Sequence, residues 1–293
     1  RRNFLMAAGL EQVLAYLEAF HFSDGDIEYL DRTGGFTPAS LAALRAMRFT
    51  GDVHAMPEAT IFSPHEPILR VTASLPQAQL VETRVMNLLN FQTMVASKAC
   101  RSVLVAGGKP LIDFGLRRAH GAEAGLFAAR ACYVAGFTGT SNVLAGACFA
   151  IPTYGTMAHS FVQAHQDETQ AFTHIARAQP RNVVLLIDTY DTEAAAENVV
   201  ALAARLKTEG IAIHGVRLDS GDLADHARKV RTILDQGGLM DTTILVSGNL
   251  DEERVQALVT GRAPIDSFAV GTAMTTSADA PYLDCAYKLQ EYA

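Results

Sequence analysis

In the second half of the chain, apolar residues fall in short unbroken runs, not in alternation with polar ones. Val183-Val184-Leu185-Leu186-Ile187 stops at Asp188, and Ile211-Ala212-Ile213-His214-Gly215-Val216 stops at Arg217. Ile244-Leu245-Val246 stops at Ser247, and Phe268-Ala269-Val270 stops at Gly271. Each run is followed by polar residues and glycine, then by a segment with helical spacing. The polar positions that end the runs lie about 24–30 residues apart, the length of one strand plus one helix. Parallel strands under helical crossovers are covered on both faces, so their runs need not alternate. Strand ends counted in this way fall at Asp113, 138–141, 154–159, Asp188, Arg217, Ser247 and Gly271. The pattern predicts an α/β fold, an irregular and incomplete α/β barrel of about seven parallel strands.

The opening third reads differently. Residues 4–20 have helical apolar spacing at Leu10, Val13, Leu14 and Leu17, and 24–30 read as a second helix with Asp24 as its cap. Thr37-Pro38 opens a third helix, which runs to Met47. Residues 53–72 read as short strands punctuated by Pro57, Pro64 and Pro67, a small half-barrel or sandwich on the helices. Residues 76–106 read as one long helix in two parts. A boundary near residue 95 gives a partial N-terminal mixed α+β domain over 1–95 and a barrel domain over 96–293.

Composition narrows the classes. The chain has 293 residues, 49% hydrophobic and 19% charged, with a net charge of −7. That balance, with no basic tract, argues against a nucleic acid or anionic membrane as partner and favours small molecules. No apolar stretch approaches the ~20 residues of a membrane span. Cys100, Cys132, Cys148 and Cys285 are widely spaced in apolar settings without Cys-x-x-Cys pairing. They are expected to be reduced core residues of a cytoplasmic protein.

In a parallel barrel the carboxyl ends of the strands converge on one mouth. Phe114, Arg117, Ser141, His159, Asp188, Arg217, Asp219, Ser247, Gly248, Gly271 and Thr272 are expected to share it. His159 lies in Gly155-Thr156-Met157-Ala158-His159-Ser160, after the strand-like run Ala147-Cys148-Phe149-Ala150-Ile151. The glycine and small residues there give a ligand room at the backbone. The arginines suit carboxylate and phosphate, and the turns Ser247-Gly248-Asn249 and Gly271-Thr272 offer N–H groups to phosphate. Asp219 and Asp222 suit ribose hydroxyls or a magnesium ion, though an acid after a strand is equally an ordinary helix cap. Likewise, Arg117-Arg118 also fits a solvated pair in a loop.

These segments together resemble the nicotinate phosphoribosyltransferase family. The resemblance rests on Asp113-Phe114-Gly115-Leu116-Arg117-Arg118, Gly139-Thr140-Ser141-Asn142, the His159 stretch, Asp188-Thr189-Tyr190-Asp191-Thr192, Val216-Arg217-Leu218-Asp219-Ser220-Gly221-Asp222 and Ala269-Val270-Gly271-Thr272, in that order. It implies a type II phosphoribosyltransferase that joins nicotinate to 5-phosphoribosyl 1-pyrophosphate, with Mg2+ and with ATP as co-substrate, in NAD salvage. It implies that ATP phosphorylates His159, that Asp188 orients the imidazole, and that Phe114 stacks on the pyridine ring. Arg117 would pair with substrate, while Arg217 and Asp219 would hold the phosphoribosyl part. Ser141 favours the acid, because the similar nicotinamide-using enzyme has an aspartate there, which a carboxylate would repel. A homodimer with its active site at the subunit interface is also implied.

The sequence starts at Arg1-Arg2 and stops at Tyr292-Ala293, so it is expected to be part of a longer chain. The family's tyrosine that stacks on the substrate ring from the partner subunit is expected to lie outside it. Alternatives are a nicotinamide or quinolinate phosphoribosyltransferase and a non-catalytic metabolite-binding homologue. A Schiff-base aldolase is disfavoured, because no lysine falls at a strand end.

Overall fold

Side-chain caps open two of the helices of the opening third, those that begin after Ser23 and Thr37. The computed structural model describes residues 2–291. Its first elements are β1 (Leu5–Met6), α1 (Leu10–Glu18), α2 (Asp24–Arg32) and α3 (Pro38–Ala46). The N-cap of α2 is Ser23 and not Asp24. Ser23 Oγ accepts from Asp26 N at 3.2 Å while Asp26 Oδ2 accepts from Ser23 N at 2.8 Å, a reciprocal capping box. Asp24 sits one step inside, where its charge faces the positive end of the helix.

The helical reading of residues 4–20 gives way at its start to β1, which pairs antiparallel with β3 (Ile61–Phe62). Gly9 makes the turn between β1 and α1 at φ 101°, and a Cβ there would lie 2.7 Å from the Leu88 carbonyl. β2 (Asp52–Ala55) pairs antiparallel with β4 (Leu69–Thr72), so residues 53–72 form no half-barrel or sandwich but parts of two separate ladders. Pro57, Pro64 and Pro67 lie outside these strands, and each withholds an N–H that a wider sheet would need.

α4 (Leu75–Val105) is one continuous helix of 31 residues. Its hydroxyls serve buried backbone near β1: Thr93 Oγ1 donates to Ala8 O at 3.2 Å, and Ser97 Oγ accepts from Met6 N at 2.9 Å. The chain forms two compact units, Arg1–Ser97 with Ala280–Ala293, and Lys98–Asp279. Within the first, Tyr287 Oη donates to Ala78 O at 3.1 Å.

The second unit holds β5 (Leu111–Asp113), a 3-10 turn over Leu116–Arg118, α5 (Ala122–Val134), β6 (Gly139–Thr140), α6 (Val143–Phe149), α7 (His159–Gln163) and α8 (Glu168–Ala178). β7 (Val183–Leu186), α9 (Thr192–Thr208), β8 (Ile213–Leu218), α10 (Leu223–Gln236), β9 (Thr243–Val246), α11 (Glu252–Thr260), β10 (Ser267–Val270) and α12 (Thr272–Thr275) follow. The strands form one six-stranded parallel sheet in the order β6-β5-β10-β9-β8-β7, a half-barrel covered by helices. Acidic or amide caps open most of these helices: Asn142, Asp167, Asp191, Asp222 and Asp251 each accept from the N–H two or three residues on.

Among the described residues the sheet has six strands, not about seven. The strand expected to lead into His159 is reduced to a single bridge, Thr140↔Thr153. Ala147-Cys148-Phe149 belongs instead to α6, which Asn142 caps and which stops where Ala150 turns left-handed at φ 55°. Pro152 then removes the donor a strand would need. The cysteine reading also divides: all four are free, with Cys100 and Cys132 buried and Cys148 and Cys285 exposed.

The unbroken runs face helices on one side. Leu185, Val216, Leu218, Ile244, Val246, Phe268 and Val270 are fully buried, as are Ala195 and Val199 of α9 and Ala227, Val230 and Leu234 of α10. Each large apolar side chain buried there contributes about 1.5–3 kcal/mol. No helix among the described residues is long and apolar enough to cross a membrane. Leu185→Ala is expected to cost ~2–5 kcal/mol in urea unfolding, while Leu104→Ala, at a site 67% exposed, stays within ~0.5 kcal/mol. Equal losses for the two would contradict this account of the core.

Candidate functional site

Strand register places the site residues. Gly139, Ile112, Ala269, Leu245, Arg217 and Leu186 belong to one face of the sheet, because the pairs that link neighbouring strands bring them there in turn. Period two carries the same face one layer further, to Ser141, Phe114, Gly271, Ser247, Asp219 and Asp188. Strand-like bonds persist into this layer: Phe114 N donates to Val270 O, Ser141 N to Asp113 O and Ser247 N to Leu218 O, each at 2.8 Å. Six of the expected site residues thus share one rim.

Arg217 ties that rim together. Its Nε donates to Ser247 Oγ at 2.8 Å, one terminal nitrogen donates to Thr156 Oγ1 at 2.9 Å, and the other donates to Asp219 Oδ1 at 2.8 Å. The guanidinium also stands 5.3 Å from the centroid of the Phe114 ring. Phe114 and Tyr154 pack on Ile112, Leu245 and Ala269. Burial raises the Asp219 carboxyl, but the Ser247 hydroxyl, Arg217 and His159 outweigh it and hold the group below the usual carboxylate range.

His159 opens α7, with Nδ1 3.1 Å from Thr189 Oγ1. Its Nε2 stands between two carboxylates, 3.9 Å from Asp188 Oδ1 and 3.7 Å from Asp219 Oδ2. Both separations exceed a hydrogen bond, so the direct partner of the ring is Thr189. Asp188 Oδ2 accepts from Asp219 N at 2.9 Å and from Ser220 Oγ at 2.6 Å, which locks that carboxylate to the loop after β8.

The glycines of the rim are dictated by crowding. A Cβ on Gly248, at φ 93°, would lie 1.9 Å from Asp219 O, and one on Gly115 would lie 1.6 Å from Thr275 Oγ1. Asn249 follows with a positive φ of 49° and is exposed, as is Thr272 at the start of α12. Arg117 and Arg118 lie exposed in the 3-10 turn, outside the Arg217 cluster. Asp222 caps α10, with Oδ1 accepting from Ala224 N and Asp225 N at 3.1 Å.

Several contributors escaped the sequence reading. Thr156 and Thr189 lie inside segments already singled out, but nothing in the sequence distinguishes them from spacer residues. Asp113 is 1% exposed and accepts from Gly115 N at 2.8 Å and from Thr140 Oγ1 at 2.7 Å. Burial pushes its carboxyl up, against those two hydrogen bonds. It braces the turn that carries Phe114. The first unit has a cavity of about 430 Å³ lined by Tyr16, Phe20, Phe22 and Tyr29.

Two family models match the chain: the nicotinate phosphoribosyltransferase N-terminal domain over residues 1–90 and the nicotinate phosphoribosyltransferase family over 110–293. The chain is 48% identical over 291 residues to nicotinate phosphoribosyltransferase pncB2 of Mycobacterium tuberculosis, covering 99% of this chain and 62% of that protein. It is 42% identical over 288 residues to nicotinate phosphoribosyltransferase of Bacillus subtilis, covering 98% and 58%. The chain therefore spans about three fifths of the length of these relatives. Among solved structures, human nicotinic acid phosphoribosyltransferase superposes with a TM-score of 0.84 at 31% identity, covering 92% of this chain and 65% of that one. Nicotinate-nucleotide pyrophosphorylase from Pyrococcus furiosus superposes with a TM-score of 0.74 at 27% identity, covering 96% and 64%. The strand-end rim and both family matches lead to one conclusion: this chain belongs to the nicotinate phosphoribosyltransferase family.

Proposed function

We propose that the chain carries the transferase centre of an enzyme that joins nicotinate to 5-phosphoribosyl 1-pyrophosphate, giving nicotinate mononucleotide and pyrophosphate in NAD salvage. The observation that carries this reading is the Arg217 cluster with Thr156, Ser247 and Asp219, set beside His159 on the rim that also bears Phe114 and Ser141. A guanidinium already restrained on three sides loses little entropy when it meets an anion. Arg217 and Asp219 hold the phosphoribosyl part, and the Ser247-Gly248-Asn249 and Gly271-Thr272 turns receive phosphate oxygens. Phe114 stacks on the pyridine ring.

In the transfer, the pyridine nitrogen forms a bond to the ribose anomeric carbon as the bond to pyrophosphate breaks. The ring carbon becomes oxocarbenium-like on the way. Positioning and charge stabilisation therefore govern the rate more than a strong base does. Asp219, held ionised, is the carboxylate suited to face that positive charge.

ATP enters as co-substrate. In the tautomer whose Nδ1–H donates to Thr189 Oγ1, 3.1 Å away, the lone pair of His159 lies on Nε2. That nitrogen attacks the γ-phosphorus as ADP leaves, and later hydrolysis of the phosphohistidine drives transfer towards product. Asp188 stabilises the positive charge on the ring. Mg2+ arrives on the phosphates: no three metal-ligating side chains converge among the described residues, and this ion commonly keeps waters and substrate phosphates as ligands. The working assembly is a homodimer with the site at the subunit interface, and α6 offers it an apolar face in Val143 and Leu144, 73% and 58% exposed.

The deciding experiment is pyrophosphate release by the full-length protein with nicotinate or nicotinamide, with and without ATP. Nicotinate-dependent, ATP-stimulated release is expected; preference for nicotinamide would defeat the specificity assigned to Ser141. Arg117→Ala is expected to cost ~2–5 kcal/mol in nicotinate recognition, ~30-fold or more in KM, while the KM for ATP holds. Equal weakening of both would remove Arg117 from substrate recognition. His159→Ala is expected to abolish ATP hydrolysis yet leave slow ATP-independent transfer, and a variant still fully coupled to ATP would refute the phosphohistidine.

A further inference from the structure

Two imidazoles that the rim does not use meet at short range. His165 lies just after α7 and is half-buried, and His174 is exposed on α8. His165 Nε2 stands 3.0 Å from His174 Nδ1, with the rings 5.0 Å apart at 64°. On its other side, His165 Nδ1 lies 2.7 Å from the carbonyl of Phe161, and a carbonyl only accepts, so Nδ1–H is the donor. In the neutral ring this leaves the lone pair on Nε2, facing His174. The Phe161 ring backs His165 with centroids 4.6 Å apart and limits how far that imidazole turns.

Such an arrangement is that of a ligating histidine. A metal-bound imidazole commonly gives its other N–H to a carboxylate or backbone carbonyl, which fixes the tautomer and aims the lone pair. The spacing suits a shared ion as well. With metal–nitrogen bonds of ~2.0–2.1 Å, nitrogens 3.0 Å apart subtend about 90–100° at the metal, and opening them to ~3.3 Å gives the tetrahedral angle. No group of three His, Cys, Asp or Glu side chains forms among the described residues, so water completes the coordination. Two imidazoles and water favour a borderline ion such as Zn2+, Ni2+ or Cu2+ over Mg2+ or Ca2+, which take oxygen ligands.

We propose that His165 and His174 form a two-imidazole site for a divalent transition ion, bound through His165 Nε2 and His174 Nδ1. Without the ion, His174 Nδ1–H donates to His165 Nε2. On binding, that proton leaves to solvent and His174 takes one from solvent at Nε2. The neutral pair therefore releases no net proton, and two nitrogen–metal bonds replace one hydrogen bond. The ion fastens the end of α7, the short helix that His159 opens, to α8. The site is independent of the transfer chemistry and stands or falls without it.

The test is a zinc chloride titration of the nitrogen-15-labelled full-length protein, followed on the imidazole nitrogens and assigned through bonds to their backbone amides. Before zinc, both rings are expected as Nδ1–H tautomers. Zinc is expected to shift His165 Nε2 and His174 Nδ1 together, to saturate at one ion for the two rings, and to convert His174 to the Nε2–H tautomer, while an excess of Mg2+ neither causes nor reverses the change. His174→Gln keeps a side-chain N–H for His165 Nε2 but has no imidazole, and is expected to weaken zinc binding at His165 by ~10-fold or more. Zinc shifts confined to other histidines, movement of only one of the two rings, displacement by Mg2+, or wild-type affinity in His174→Gln would each overturn the site. The wild-type spectra decide the matter by themselves should the variant not fold.

Discussion

The guanidinium of Arg217 is the constraint on which the site depends. It rises from β8, reaches Ser247 after β9 and Thr156 before α7, and doubles back to Asp219 two residues on. Three segments distant in sequence are thereby held to one planar group whose donors have fixed directions. Removing it would release each segment separately and leave Asp219 half-buried beside Asp188 with its main counter-charge gone. Charge-assisted bonds of this kind contribute about 1.5–3 kcal/mol each, and here they act on the placement of functional groups more than on the core beneath. That core is secured independently by the fully buried strand residues and the helices laid over them.

Much of this was legible in the sequence because the fold repeats one physical unit. A buried parallel strand must be apolar throughout, a polar residue marks where it leaves the interior, and an acidic cap starts the returning helix. Asp188, Arg217, Ser247 and Gly271 could therefore be expected at one mouth from spacing alone; the register of β7, β8, β9 and β10 puts Asp188, Ser247 and Gly271 in the rim layer and Arg217 one layer below, with Asp219 in the rim instead. Legibility failed where tertiary contacts decide. The run Ala147-Cys148-Phe149 is apolar enough for a strand, yet its cap at Asn142 and the burial of Ala145 against Ala129 and Ile151 make it a helix. Ser23 took the cap assigned to Asp24 because a hydroxyl can complete the reciprocal box with Asp26. Thr189 was unreadable for another reason: a hydrogen bond to an imidazole has no signature in local pattern.

The glycines show how closely loops approach at the rim. Gly248 admits the carbonyl of Asp219, and Gly115 admits the hydroxyl of Thr275, at distances no side chain could share. Between these contacts the turns after β9 and β5 are set by exclusion as much as by attraction. Asp113, buried and fully used by Thr140 and Gly115, plays the corresponding role beneath Phe114. The polar groups of the site thus stand on backbone that has few other places to go.

The interruption between β6 and β7 has a consequence for how this family can change. His159 enters the site from a segment that pairs with the sheet by a single bridge at Thr153 and is tied to β8 by the Arg217–Thr156 hydrogen bond, while Asp188, Asp219 and Ser247 extend strands held in continuous ladders. The imidazole is consequently carried on a module whose sequence can drift with little disturbance to the ladders of strand pairing. Selection can move the histidine while leaving the strand ladders, and the stability stored in them, largely in place.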